Sequence, residues 1–476
     1  MAACYSAPTP IYADSSGTTD DSQGSTDALT TTSSSDPSTA DATSSIGPST
    51  TSGSTEATDD VGVPVCGNGI VDGDEVCDDG VNDEGYGSCT ADCTARAAHC
   101  GDGELNGPEP CDDGNGRNGD GCNNDCGPSM AVQWTRTFAG DAGFDDEAFA
   151  VAIDADDSIV VGGITGIDDS TGDVLLLRYA DDGALLWDVT HDLGNDSRAA
   201  DVAIGPDGQI AIAGDLSEIA FLAAAFDSEG ALAWSDTMTD VGGGDIGGKG
   251  VDFDADGDVY VGGQIYVGSY DLTLRRYSET GATVWIETYD GGLTDDAFGI
   301  VVADDALYVG GSTTVATDDS NGLVRRYDRD GESVWTREFV GDDGDSEQAR
   351  SIAYDPAGYV VAAGFSGDVD GFARGWIRKY DLDGAQQWTV WSEDPLGSAY
   401  FAVAVDGTGQ IAVTGVVDFE SPAPFVAKYT QDGDELWVDS PLAAPALVWG
   451  VATDGASNVV VCGATGGDVW LQKYAP

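Results

Sequence analysis

From Ala148 onward, apolar residues come in short β-branched and aliphatic runs separated by Asp- and Gly-containing turns, with no sustained 3.6-residue period. The first unit reads Ala148-Phe-Ala-Val-Ala-Ile-Asp154, a turn at 155–158, and then Ile159-Val-Val-Gly-Gly-Ile-Thr165. After a loop come Asp173-Val-Leu-Leu-Leu-Arg-Tyr179, a turn at Asp181-Asp-Gly183, and Ala184-Leu-Leu-Trp187. Such runs predict four short strands. The Asp-Gly pairs supply the positive-φ residue that a tight hairpin needs. The first two strands recur from Val202, Val251, Ile300, Ile352, Val403 and Val451. The third-strand aromatic recurs as Tyr179, Phe226, Tyr277, Tyr327, Tyr380, Tyr429 and Tyr474. Tryptophans mark the same period: Trp134, Trp187, Trp234, Trp285, Trp335, Trp388 and Trp437 stand 47–53 residues apart.

A period near 50 residues means one supersecondary unit repeated, and four strands per unit over residues 130–476 predict an all-β, seven-bladed β-propeller with four-stranded blades. A β-solenoid is the alternative architecture, but four strands with long loops in about 50 residues are too much for one coil. The chain reaches Tyr474 with no Trp strand after it, whereas Trp134 precedes the first inner strand. The Trp134 strand is therefore expected to complete the last blade and close the ring. The pattern Asp-x-Ala-x-x-x-Val-x-Asp-x-x-Gly-x-x-x-Val-x-Gly, followed by Arg/Lys-Tyr-Asp-x-x-Gly-x-x-x-Trp, resembles bacterial SBBP-type β-propeller repeats. More distantly it resembles the Trp-docking repeat of quinoprotein dehydrogenases. The resemblance speaks for the fold and is nearly silent on activity.

The first quarter differs. Residues 1–62 are mostly Ser, Thr, Asp, Gly, Ala and Pro after a short start. Such a segment buries too little apolar surface to offset its ordering entropy, so a disordered stalk spanning roughly 40 Å is expected. Two cysteine units follow, at 63–97 (Cys66, Cys77, Cys89, Cys93) and 98–128 (Cys100, Cys111, Cys122, Cys126). Their text repeats as well, Cys66-Gly-Asn-Gly against Cys100-Gly-Asp-Gly and Cys77-Asp-Asp-Gly against Cys111-Asp-Asp-Gly-Asn. Units this small lack room for an apolar core, which implies disulfide staples and an oxidising compartment, with the pairing left open. Zinc fits less well, because the spacing is not that of paired Cys-x2-Cys knuckles. The motifs resemble cysteine-rich repeats of myxobacterial secreted and surface proteins. Cys462, inside an apolar strand, is expected as a buried free thiol. Ala2-Ala3-Cys4 resembles the cleavage end of a bacterial lipoprotein signal, without the charged and apolar regions that precede one. Cys4 is thus the expected lipid attachment point, and no stretch is long and apolar enough for a transmembrane helix.

The chain carries 86 acidic and 18 basic residues, a net charge of −68. That field argues against nucleic acid and anionic membrane surfaces as partners, leaving membrane association to the anchor alone. Six basic residues, Arg178, Arg276, Arg326, Lys379, Lys428 and Lys473, each precede a third-strand aromatic, which suggests a repeated ion pair with turn aspartates. The acidic runs leave calcium as a candidate ligand, and no other cofactor is implied. Asp252-Phe-Asp254-Ala-Asp256-Gly-Asp258 opens like a calcium loop but lacks the closing Glu and coincides with a hairpin. Asp78, Asp79, Asp112 and Asp113 are further oxygen-ligand candidates. With only His99 and His191, a histidine metal site or Ser-His-Asp triad is essentially excluded.

One position varies where packing should make it repeat. Two residues before the Val or Ile of each inner strand stand Phe149, Ala200, Lys249, Phe298, Arg350, Phe401 and Trp449, flanked mostly by Ala or Gly. Acids in the entering loops, among them Asp146, Asp296 and Asp345, lie just ahead. Aromatics with mixed charges suit a protein or glycan ligand near the channel mouth, set against ordinary inter-blade filling. The expectation is an exported, lipid-anchored, monomeric protein at the outer membrane or cell surface, or a secreted one, that binds such a ligand. The alternative is a propeller enzyme acting on polysaccharide or an alcohol, whether glycosidase, lyase or quinoprotein-like, with no catalytic residue assigned.

Overall fold

The computed structural model describes residues 66–476, apart from 72, 74, 116–120, 125, 141–144, 168–171, 218, 240–246, 304–305, 317–318, 341–345, 368–372, 419–421 and 441–445. Cys4 and the stalk expected over 1–62 lie outside the described residues. From Val132 to Tyr474 the described chain is all β, with 28 strands and no helix. Each repeat folds as a meander. In the first, Asp145–Ile153 pairs with Ile159–Ile167, that strand with Asp173–Tyr179, and that one with Leu185–His191. The turns form because an Asp at the first position accepts the backbone N–H groups two and four residues on. Asp254 Oδ1, for example, takes those of Asp256 and Asp258, both at 3.0 Å. Middle strands are buried along their whole length, as at Ile210–Leu216, while Trp strands such as Leu185–His191 alternate with solvent.

The sheets are those of a β-propeller, but the expected seven separate four-stranded blades are corrected. Five sheets stand as four-stranded blades, and the strands from Gly247 to Phe339 form one eight-stranded sheet. The join is a parallel bridge, Tyr270 to Thr294, between the third strand of one repeat and the inner strand of the next. Chain packing at Gly292 accompanies it: a Cβ there would stand 2.4 Å from the Thr314 carbonyl oxygen, so only glycine lets the entering segment lie this close.

Val132–Phe138 pairs antiparallel with Asp468–Tyr474, the last strand of the chain, and becomes the outer strand of the final sheet. Apolar clusters lie between neighbouring sheets. One combines Val151, Val161 and Leu177 of the first repeat with Val460, Cys462 and Leu471 of the last, so the core runs round a closed ring. Polar staples reinforce it. The indole N–H groups of Trp134, Trp234, Trp285 and Trp335 donate to turn carbonyls of the following repeat, at Asp181, Glu279, Arg329 and Leu382 (2.9–3.1 Å). Among the described residues, four of the seven periodic tryptophans make this contact, whereas the Trp437 indole N–H is buried without a partner.

The basic residue before the third-strand aromatic is buried against the first Asp of its own hairpin turn. The pairs are Arg178–Asp154 (2.5 Å), Arg276–Asp254 (3.4 Å), Lys379–Asp355 (2.7 Å), Lys428–Asp406 (3.4 Å) and Lys473–Asp454 (2.6 Å). Most of these cations also donate to the next repeat, as Arg178 does to the Ser228 carbonyl and Lys428 to that of Ser457. Arg326 gives such a bond to Leu382. The second repeat has Ala225 and Gly205 in these two places, so both charges are missing together.

The cysteine-rich residues fall in two units, 66–99 and a second that begins at Cys100 and includes the propeller. Each carries a nested pair of disulfides: Cys66–Cys93 around Cys77–Cys89, and Cys100–Cys126 around Cys111–Cys122. Cys462 is a buried free thiol whose pKa burial pushes up to about 12.

Candidate functional site

The seven variable positions share one structural property. The pairing of inner and second strands slips at Ala148/Ala150, Ala199/Asp201, Gly248/Gly250, Ala297/Gly299, Ala349/Ser351, Tyr400/Ala402 and Val448/Gly450. The residue skipped each time is Phe149, Ala200, Lys249, Phe298, Arg350, Phe401 or Trp449. A β-bulge leaves its extra residue without a ladder partner and re-aims its side chain. That explains how the position varies while its neighbours do not. The neighbours are small because inner strands of adjacent repeats approach closely: a Cβ on Gly250 would lie 2.9 Å from the Ile300 nitrogen.

All seven bulge residues are half-buried. Two groups of them are in contact. Lys249 Nζ lies 4.8 Å and the Arg350 guanidinium 4.4 Å from the centre of the Phe298 ring. Phe401 and Trp449 stack at 5.3 Å, tilted by 34°. Arg198 lies 5.9 Å from the Phe149 ring. The result is a cationic and aromatic arc, Lys249–Phe298–Arg350, and an aromatic pair from the next two repeats.

The acids expected near this mouth divide. Asp296 forms an ion pair with Lys249 at 2.5 Å and belongs to the arc. Asp146 is buried and holds its own loop, accepting from the Thr165 hydroxyl and the N–H groups of Gly140 and Gly166. Asp345 lies outside the described residues. Two further acids sit on the inner strands: Asp201, which the sequence did not single out, and Asp252, which it offered only as a calcium-loop ligand. Asp201 accepts the N–H of Val251 and Asp252 that of Val302, each from the following inner strand. Burial pushes their carboxyls up to about 7 and about 6, opposed by those N–H groups and reinforced by a neighbouring aspartate. The signal for Asp201 was a lone Asp where other repeats carry Ala, Gly or Ser.

The calcium-like loop is otherwise employed. Asp254 Oδ2 meets Arg276 and Arg329 (2.9 Å from the latter), Asp256 pairs with Arg329, and Asp258 with Arg276 (2.7 Å). Asp252 turns away to the Val302 and Phe253 N–H groups. In the cysteine units, Asp78 accepts the N–H groups of Gly67, Asn68, Gly69 and Gly80, and Asp112 those of Gly101, Asp102, Gly103 and Gly114. Burial pushes both carboxyls up, but the donors outweigh it and hold both below the ordinary range. Asp79 and Asp113 similarly accept the N–H groups of Cys89 and Cys122. These acids act as backbone staples, which accounts for the repeated Gly-x-Gly and Asp-Asp-Gly text. At the end of the inner strands away from the bulges, an open hollow of about 330 Å³ is lined by Ile153, Ile204, Pro206 and Phe253.

No family profile matches the chain, and no curated protein matches it in sequence. Among solved structures it is similar to the WD40 domain of Neurospora crassa Pan2, at 10% identity over 72% of this chain and 95% of that one, TM-score 0.45. It is also similar to the β-propeller domain of the Trilobed protease from Pyrococcus furiosus, at 10% identity over 69% and 95%, TM-score 0.43. A third is the gluconolactonase XC5397 of Xanthomonas campestris, at 13% identity over 72% and 98%, TM-score 0.37. At this distance the likeness bears on fold alone.

Proposed function

We propose that the protein is an exported surface protein whose propeller binds a protein or glycan ligand at the bulge ring. The observation that carries this is the coincidence of the variable position with a bulge in every repeat. Bulges re-aim side chains at rims and beside sites, and a variable residue there is free to serve recognition rather than the ladder. Lys249 and Arg350 around Phe298 suit a ligand that offers both a flat apolar face and an anionic or carbonyl group. Phe401 and Trp449 suit a sugar ring or an aromatic side chain. The disulfides fit an oxidising compartment. A lipid anchor at Cys4, monomeric state and avoidance of nucleic acid belong to the same reading.

A glycan and peptide array probed with the full chain identifies the ligand. Phe298→Ala, Phe401→Ala and Trp449→Ala are then each expected to weaken capture by about 1–3 kcal/mol with the fold intact. Ala200 already occupies the equivalent place in the second repeat. Undiminished capture by all three variants overturns this site.

A further inference from the structure

The bridge that joins two repeats into one eight-stranded sheet creates a second, unrelated cluster. Tyr270 pairs with Thr294, and the next residues along the two strands are Asp271 and Asp295. With Asp290, on the segment entering the bridged strand, they place three carboxylate oxygens within 4.8 Å of one another. Asp271 and Asp295 are buried and Asp290 is exposed. Among the described residues, none of the three forms an ion pair.

Three carboxylates this close repel one another unless protonated, held by hydrogen-bond donors or bridged by a cation. The Ser269 hydroxyl donates to Asp271 Oδ1 at 2.6 Å, which leaves Asp295 Oδ1 as the oxygen without a donor. Burial pushes the Asp295 carboxyl above its ordinary range. The Thr313 hydroxyl and the Gly291 N–H oppose that shift, and Asp271 and Asp290 reinforce it. Gly291 N–H donates to Asp295 Oδ2 at 2.6 Å. Asp295 Oδ1 is buried and accepts no well-formed hydrogen bond, in a side chain with no solvent exposure. Thr313 stands directly opposite Asp295 in the ladder, and Asn321 directly opposite Thr313, so the three share one face of the sheet. Asn321 Oδ1 is also buried without a partner. Buried oxygens without donors are costly, and a cation is the partner that answers several at once. Carboxylate oxygens this close can share one divalent cation that takes oxygen ligands.

We propose that Asp271, Asp290 and Asp295 form a site for a hard divalent cation such as calcium, seated where the two repeats fuse. Asp295 Oδ1 and Asp271 supply the buried ligands. Asp290 closes the site from the solvent side, and water completes the shell there. The ion neutralises the charge gathered by the Tyr270–Thr294 bridge and so ties the two repeats together.

The test uses terbium(III), whose emission nearby aromatic excitation sensitises, titrated into the calcium-free full chain and displaced with calcium. Asp330→Asn, an exposed acid outside the cluster, controls for loose binding to so acidic a surface. Wild type and Asp330→Asn are expected to share one saturable component that calcium displaces. Asp295→Asn loses that component, and Asp290→Asn raises its midpoint on the order of tenfold or more, since affinity follows ligand charge. Asp290 is exposed, so its variant retains the fold and decides the question even where Asp295→Asn does not fold. Equal midpoints for Asp290→Asn and Asp330→Asn overturn the proposal.

Discussion

Lys428 and Asp406 are both fully buried, 3.4 Å apart, and burial lowers the Lys428 pKa while Asp406 opposes the shift. Removing one partner strands the other. Lys428→Ala is expected to cost about 3–5 kcal/mol in denaturant unfolding. Adding Asp406→Gly should restore a large part of the loss, because the second repeat folds with Ala225 and Gly205 in these places. A double variant no more stable than the single would refute the pairing. Asp201 offers a pH test with the opposite sign to a salt-bridged acid. Burial holds its carboxyl near 7 against an ordinary 3.8, so the folded state binds its proton more tightly. Its contribution to stability is therefore greatest at low pH and is lost as pH rises from about 4 to about 7. Thermal unfolding across that range should show a shallower decline in Asp201→Asn than in wild type, whatever the absolute change. Periodicity made the ion pairs legible in advance; the depth of Asp201 was not, because a lone Asp on a strand reads the same whether solvated or enclosed.

At the scale of the strand, the bulge turns a run of similar segments into a ring of different side chains. Variation at Phe149, Ala200, Lys249, Phe298, Arg350, Phe401 and Trp449 could be read directly, but its cause could not. A bulge is a slip between two strands, and neither strand records it alone. The same holds for the calcium-like run Asp252–Asp258, where the decisive partners, Arg276 and Arg329, arrive from other strands. The first strand is also a test of closure. Deleting residues 130–140 removes the partner of Asp468–Tyr474 and the indole contact of Trp134 with the Asp181 carbonyl. An unpaired edge and a vacated pocket should lower the melting temperature of the propeller markedly. An unchanged melting temperature would show that this strand is dispensable.

For the whole molecule, the nested disulfides in both cysteine units lead to a compartment test. Mass spectrometry of native protein is expected to find Cys66, Cys77, Cys89, Cys93, Cys100, Cys111, Cys122 and Cys126 oxidised, Cys462 free, and an acylated Cys4 at the N-terminus. An unmodified residue ahead of Cys4 in the native protein would defeat the anchor. What the sequence by itself determined is everything carried by local chemistry and repetition. That covers the all-β class, the strand–turn unit set by Asp-Gly hairpins, the Trp period, the basic residue before six of the seven aromatics and the cysteine units. These follow from side-chain alternation, turn conformations and spacing, which neighbouring residues suffice to express. Tertiary structure alone decided which strands share a sheet and what each side chain meets. Expecting seven separate blades counted repeats, whereas sheets are defined by hydrogen bonds between strands. One bridge, Tyr270 to Thr294, drew Gly247–Phe339 into a single eight-stranded sheet beside five four-stranded blades. The convergence of Asp271, Asp290 and Asp295 is of the same kind, because it depends on how closely two chain segments approach in space.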